Sequence, residues 1–410
     1  MDKVNHSTKV VLGVQHVFAM FGATVLVPAL TGLNPSVALL AAGIGTLLFH
    51  VITGGVVPVF LGSSFAFIGV IQSIGKYNTE TKALDPKFAP YALGGLFGAG
   101  VIYLILAGVV RLFGTGFIKK LFPPVVTGPV IMVIGLSLAP IAVEMAQANW
   151  ILALTSMLTI VGVSCFMKGF FKLVPILIGI MAGYAAAAAM GLVDYSAFES
   201  SKLFISLSDF SFPKFSMDAV LTVAPIAIVS FMEHIGDITT NGAVVGKDFF
   251  EKPGLHRTLM GDGVATIFAS LIGAPANTTY SENTGVLAVT KNYNPAIIRI
   301  AAVFAIILGV FSPLGAFLKT IPVAVMGGVS FILFGMIASI GMRTIAHSKL
   351  DFNNSRNLMI VTLILTAGLS GAKFETAGGV TLTGIGLAAL VGMLANLVLH
   401  IILPDNPDND

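Results

Sequence analysis

The 410-residue chain is 56% hydrophobic and only 10% charged, with a mean hydropathy of +0.95. Soluble domains carry about 25% charged residues, so a water-soluble globule is excluded and an all-α polytopic membrane protein is expected. The net charge of +3 is spread over loops and offers no nucleic-acid surface, and no nucleic-acid partner is expected. The lone Cys165 excludes an internal disulfide and a thiolate metal site. In its apolar run it reads as a small core residue. The ten-residue alternation of a membrane β-barrel is absent.

A helical span needs about 20 apolar residues, fewer when the helix is broken. Apolar segments follow one another near 10–31, 36–53, 56–74, 89–112, 122–142, 149–168, 172–191, 216–245, 258–273, 277–291, 296–313, 320–341, 355–371 and 378–403, fourteen in all. The start, Met1 to Val10, reads as a short polar tail and not as a cleaved leader. The third and tenth segments are short and rich in Gly, Ser and Thr, the composition of interrupted helices carrying short strands. The acidic end, Asp405 to Asp410, reads as a disordered tail.

Fifteen of the 22 basic residues, including Lys3, Arg111, Arg257, Arg299 and Arg343, fall on one side of this arrangement. Seven, including Lys82, Lys202 and Lys319, fall on the other. The bias places both termini in the cytoplasm. Lys119 and Lys120 read as juxtamembrane anchors, and Glu144 beside Trp150 as interfacial.

The two halves echo each other. Pro123-Pro-Val-Val-Thr-Gly-Pro-Val130 matches Pro322-Val-Ala-Val-Met-Gly-Gly-Val329 at an offset of 199. Gln15-His16 parallels Glu233-His234, and Ser63-Ser-Phe65 parallels Thr278-Thr-Tyr280, at offsets of 218 and 215. Three matches in one order imply a duplication of seven segments. An odd number of spans per copy gives two inverted repeats, the sequence pointer to a secondary transporter with its site at mid-membrane.

Two carboxylates stand out against this background. Glu233 lies in Ile228-Val-Ser-Phe-Met-Glu-His-Ile-Gly-Asp-Ile238 and Glu282 in Asn277-Thr-Thr-Tyr-Ser-Glu-Asn-Thr-Gly-Val286. An ionisable group inside a bilayer is costly and is by default a functional-site candidate. On a helix, Asp237 and Asn241 share the face of Glu233, giving an acidic and amide stripe suited to substrate and proton handling. His234 points about a third of a turn away, a packing donor or a ligand. Non-helical backbone around Glu282 is tolerated only inside protein or beside a cavity, where its free N–H and C=O groups can meet a small polar ring. If the two broken segments pair, Phe65 lies near Ser281 and Glu282 and offers an aromatic face to a planar ligand. Asp262 reads as a cap of the ninth segment or a partner of Arg257. No phosphate-binding loop is present, so ATP-driven transport is not expected. Neither a cofactor, a metal nor an enzymatic activity is expected.

Glu282-Asn-Thr-Gly-Val-Leu-Ala-Val-Thr-Lys291 resembles the signature of the nucleobase–ascorbate transporter family at every fixed position, including Asn283, Gly285 and Thr290. Gln15-His16 matches a second marker of that family. Gly62-Ser-Ser-Phe-Ala-Phe67 and Pro275-Ala-Asn-Thr-Thr-Tyr280 are similar to its bacterial uracil permeases. The resemblance runs over about residues 10 to 400.

It implies a core of segments 1–4 (10–112) and 8–11 (216–313), and a gate of segments 5–7 (122–191) and 12–14 (320–403). The substrate would lie between the strands of segments 3 and 10. Glu233, Glu282, Phe65, Ser281 and Tyr280 would bind it. Glu233, Asp237 and His234 would handle the proton. Glu at the first signature position implies uracil import by proton symport across a bacterial plasma membrane, with dimerisation through the gate by analogy. Asp237 departs from the His common in such permeases and is shared with purine members, so a xanthine or urate symporter is the alternative. Ser281 stands where Gly is frequent and narrows the pocket by one hydroxyl.

Overall fold

In the computed structural model the residues described are 5–78, 81, 83–199, 201–375 and 381–402. The acidic run from Asp405 and the basic Lys3 and Lys82 lie outside them. In chain order the helices are α1 (His6–Thr31), α2 (Pro35–Ile52), α3 (Ile68–Ile74), α4 (Ala89–Leu121), α5 (Pro124–Gln147), α6 (Trp150–Phe166), α7 (Pro175–Ala189) and α8 (Ser196–Glu199). The second half continues with α9 (Met217–Val245), α10 (Leu255–Ile272), α11 (Ser281–Thr290), α12 (Pro295–Val310), α13 (Ser312–Lys319), α14 (Val323–His347), α15 (Ser355–Leu369) and α16 (Gly384–Ile402). Each of the fourteen apolar segments contains one major helix or a strand–helix break, and α8 and α13 are short additions between them. Among the described residues six helices are long and apolar enough to cross a membrane: α1, α2, α4, α5, α9 and α14.

Local chemistry sets many of the boundaries. Asn34, Asn149, Asn294 and Asn354 cap α2, α6, α12 and α15 through side-chain acceptors. Pro occupies the first turn of α2, α4, α5, α7 and α12, where its missing N–H costs nothing. Segment four runs longer than its apolar stretch because a second helical stretch, set off by a non-helical kink at Gly114 (φ 79°, ψ 173°), carries α4 on to Leu121.

The strands are the exception that organises the bundle. β1 (Leu61–Ser63) pairs antiparallel with β2 (Asn277–Thr279), with Leu61 opposite Thr279 and Ser63 opposite Asn277. Both are buried throughout. A second pair, β3 (Lys373–Glu375) with β4 (Thr381–Thr383), flanks residues 376–380. Side chains complete what the short β1–β2 ladder leaves open. Leu61 N donates to Thr46 Oγ1 (2.9 Å), and Thr266 Oγ1 donates to Asn277 O (2.8 Å). Asn277 Nδ2 donates to Ala41 O (2.9 Å), and Tyr280 Oη donates to Ser63 O (2.8 Å). Gly62 is required at this crossing, since a Cβ there would run into the Tyr280 ring.

Around this centre α4 packs on α10 and α9, and α2 on α10 and α12. α5 packs along α14, and α6 lies against α7 and α14. The two helices that follow the matching Pro123 and Pro322 runs are antiparallel. Gly128 near the start of α5 meets Gly341 late in α14, and Gly327 near the start of α14 meets Met145 and Ala146 at the end of α5. Cys165 is a correction: it is exposed on the outer face of α6 and is not a core residue.

Gly341→Leu forces a side chain against the backbone of Gly128 and Met132. Overpacking of this kind costs about 1–3 kcal/mol, so the thermal unfolding midpoint of detergent-purified protein should fall. An unchanged midpoint contradicts the close α5–α14 approach.

Candidate functional site

The stripe on α9 forms as the helical spacing requires. Asp237 sits one turn after Glu233 and Asn241 one turn further, and the last two reach the broken segments. Asp237 Oδ2 accepts from Thr279 Oγ1 (3.0 Å) and Asp237 Oδ1 from Ser281 Oγ. Asn241 Nδ2 donates to Thr284 Oγ1 (3.0 Å) and to Pro58 O (3.3 Å). One helix face is thus tied to the stretch leading into β1, to β2 and to α11.

Glu233 lies at the open end of that stripe. It is half-buried, and its Oε2 is buried with no hydrogen-bond partner among the described residues. It stands within electrostatic reach of Asp237, Glu282 and Asp262. Glu282 occupies the first turn of α11, where the positive end of the helix dipole favours a carboxylate. It too is half-buried. The structure therefore brings Glu233 and Glu282 to one region.

Phe65 follows β1 and is buried, with its ring edge-on to Phe334 of α14 (centroids 6.0 Å apart, 82° between planes). The antiparallel register sets where each chain leaves the ladder. Ser64 N donates to Ala276 O (2.8 Å), while Tyr280 N donates to Phe60 O (3.0 Å). Phe65 therefore leaves the strand pair at the end opposite Ser281 and Glu282. Tyr280 has its hydroxyl committed to Ser63 O and braces the strands. Ser281 spends its hydroxyl on Asp237, leaving its backbone as the group that can meet a ligand.

The signature residues divide by role. Asn283 Nδ2 contacts both His16 Nδ1 and His16 O at 3.0 Å, which joins α11 to the Gln-His pair of α1. Gln15 Oε1 is buried without a partner among the described residues. Thr290 Oγ1 returns to its own helix at Val286 O (2.8 Å). Gly285 is exposed, with open space where a Cβ would stand.

His234 turns away from the stripe toward α10. Its Nδ1 meets Asp262 Oδ2 at 2.8 Å and its Nε2 meets Thr258 Oγ1 at 2.9 Å, with the His234 and Asp262 side chains fully buried. Asp262 is thus neither a cap nor a partner of Arg257, whose Nε donates instead to Ile52 O (2.8 Å) at the end of α2. Sequence reasoning missed this pair because Asp262 and His234 are 28 residues apart on different helices. The signal was an Asp in an apolar helix, facing another helix with an unassigned His.

These features define a multi-pass membrane transporter whose spans break around buried carboxylates. The chain matches the model of the Permease family (Xan_ur_permease) over residues 7–376 and belongs to that family, the nucleobase–ascorbate transporters. It is 45% identical over 404 residues to a probable uracil permease of Pasteurella multocida, covering 96% of this chain and 94% of that one. It is 44% identical to a uracil permease of Bacillus subtilis, covering 94% and 91%. Its fold is similar to that of the murine Solute Carrier 26 family member A9 anion transporter in the inward-facing state. There the TM-score is 0.73 at 13% identity, over 99% of this chain and 70% of the other.

Asn283→Ala leaves buried His16 Nδ1 without its donor and removes a second bond from His16 O, which costs about 1–3 kcal/mol. Its unfolding midpoint should drop clearly, whereas Gly285→Ala, with room for a methyl, should leave the midpoint unchanged or slightly raised. The opposite order contradicts the α1–α11 tie.

Proposed function

We propose that this protein imports uracil by proton symport, with Glu233 and Glu282 accepting from the two ring N–H groups. The observation that carries the reading is the convergence of these two carboxyls beside the β1–β2 crossing. Backbone N–H groups at the start of α11 suit the ring carbonyls, and Phe65 supplies an aromatic face from the far end of the ladder. The relatives named as uracil permeases support the choice of base.

Coupling to a proton follows from the same groups. A pair of carboxylates facing each other repel unless one takes up a proton or a ligand donates between them. Asp237 is held by two hydroxyl donors, so Glu233, with one oxygen unpartnered, is the better carrier.

Movement would pass between two units. Segments 10–112 and 216–313 form the core that holds the site, and 122–191 with 320–403 form the gate. The antiparallel runs of α5 against α14 and of β1 against β2 support two inverted repeats of seven segments each. Phe65 against Phe334 lies where core and gate would meet. The basic residues support cytoplasmic termini. A purine (xanthine or urate) symporter is the second reading, favoured by Asp237 with its Ser281 partner.

Uptake of radiolabelled uracil into proteoliposomes, driven by an imposed proton gradient, tests both readings. Uracil should accumulate, a protonophore should stop accumulation, and excess xanthine should compete weakly. Uptake of xanthine but not uracil overturns the assignment in favour of the second reading. Glu282→Gln should abolish uptake while leaving the unfolding midpoint near that of the wild type. Retained uptake with unchanged affinity removes Glu282 from the site.

A further inference from the structure

Two connecting stretches lie outside both proposed units: residues 192–215, between α7 and α9, and residues 314–319, which end α13. Their contacts are one-sided. Leu203 to Ile205 run antiparallel to Val310 to Ser312 at the end of α12, with Phe204 opposite Phe311. Ile205 N donates to Val310 O (3.0 Å), and Ser312 N donates to Leu203 O (3.3 Å). Asn34, the cap of α2, donates from Nδ2 to Asp209 Oδ1 (3.2 Å). Asp209 Oδ2 accepts from Ser206 N (2.8 Å) and Ser206 Oγ (2.9 Å). Ile205 and Phe210 pack on Val37 and Ala41 of α2 and Ala269 of α10. Ser211 closes on the end of α10, where a Cβ on Gly273 would stand 2.7 Å from Ser211 N. Lys214 N donates to Pro90 O (2.8 Å), and Phe215 meets Phe97 of α4 edge-on (centroids 5.2 Å apart).

α13 is held in the same way. A Cβ on Gly315 would run into Ser36 of α2, and α8 packs on α13. Lys319 stands within electrostatic reach of Asp209. The partners of 203–215 outside the stretch itself thus lie in core segments. Among the described residues no hydrogen bond joins 203–215 to a gate segment.

Contact with the gate comes only where each stretch meets it. Tyr184 Oη of α7 lies 3.0 Å from Thr320 Oγ1, just past α13, and its ring centroid is 4.9 Å from that of Phe317. On the other connection the chain turns after α7 at Gly191 (φ 68°), and Leu192 and Tyr195 are exposed. The N–H groups of Val193 to Tyr195 have no backbone partner among the described residues. Large φ/ψ changes in a moving protein are absorbed by a few such loop or element-terminal residues.

We propose that residues 203–215 and α13 travel as part of the core, and that both connections bend only at the edge of the gate, at 190–195 and at 320–322. Tyr184 stands on the helix that leads into the first bend and touches the second, so the two hinges share one corner of the molecule. The remaining crossover, at the opposite end of α4, has its break at Gly114, and Asn396 Nδ2 of α16 ties its far side to the gate at Lys120 O (3.1 Å). The direction of travel rests on the core–gate reading above; the docking of the two stretches does not.

Two engineered disulfides in full-length protein carrying Cys165→Ser test the proposal. Residues directly opposed in an antiparallel pair have Cα atoms about 4.5–5.5 Å apart, within the reach of a disulfide. Phe204→Cys with Phe311→Cys, both at exposed positions, bonds the first stretch to the core. Gly22→Cys with Ile176→Cys bonds α1 of the core to α7 of the gate, since a Cβ on Gly22 would stand 3.2 Å from Ile176 Cβ. In proteoliposomes the oxidised 204–311 variant should take up uracil at the rate of its reduced form. The oxidised 22–176 variant should lose uptake and regain it on reduction. Loss of uptake in the 204–311 variant on oxidation, restored by reduction, overturns the proposal. Uptake that survives the 22–176 bond overturns the core–gate reading instead.

Hydrogen exchange on substrate-free wild type in detergent decides the docking without transport. The amides of Ile205 and Lys214 should be protected, and those of Val193 to Tyr195 should exchange first. Equally fast exchange from 193 to 214 overturns the proposal, whether or not uracil is carried.

Discussion

Backbone amides cannot be left unpaired in hydrocarbon, and this constraint shapes the centre of the molecule. The third and tenth segments give up helical hydrogen bonds where they cross. Three residues from each restore some of those bonds by pairing as strands, Thr46, Thr266 and Tyr280 supply others, and the Asn277 side chain ties the crossing to α2. The helices that resume after each strand start deep inside the bundle. Their first turns, with free N–H groups, become a place where a polar solute can be held. The acidic stripe of α9 lies against this crossing because Asp237 and Asn241 are bonded to Thr279, Ser281 and Thr284. The site is a consequence of the break, and the break is tolerated because it is paired.

Much of the architecture is legible in the sequence. The hydrophobic segments lie within a few residues of the helices because a membrane span needs length and apolarity and little else. The strand pairing was legible too, since Gly62-Ser-Ser and Asn277-Thr-Thr are poor helix formers at matching places in the two halves. The i, i+4 relation of Glu233 and Asp237 needed only helical periodicity.

What the sequence did not give is distance in three dimensions. Antiparallel register sends Phe65 and Glu282 to opposite ends of the ladder, and no pattern in either segment reports register. The His234–Asp262 pair joins two helices that periodicity treats one at a time. Cys165 read as core because an apolar run looks the same whether it faces protein or lipid. Tyr280, aligned with Phe65 by the repeat, spends its hydroxyl on Ser63 O and so differs from its counterpart in what it can offer.

The central claim is that Glu233 and Glu282 share one flat heterocycle. The most direct test is an experimental map of the protein in lipid nanodiscs saturated with uracil. Planar density between the two carboxyls, near the start of α11, is the result expected. Density elsewhere, or carboxyls that point away from each other toward acyl chains, contradicts the account.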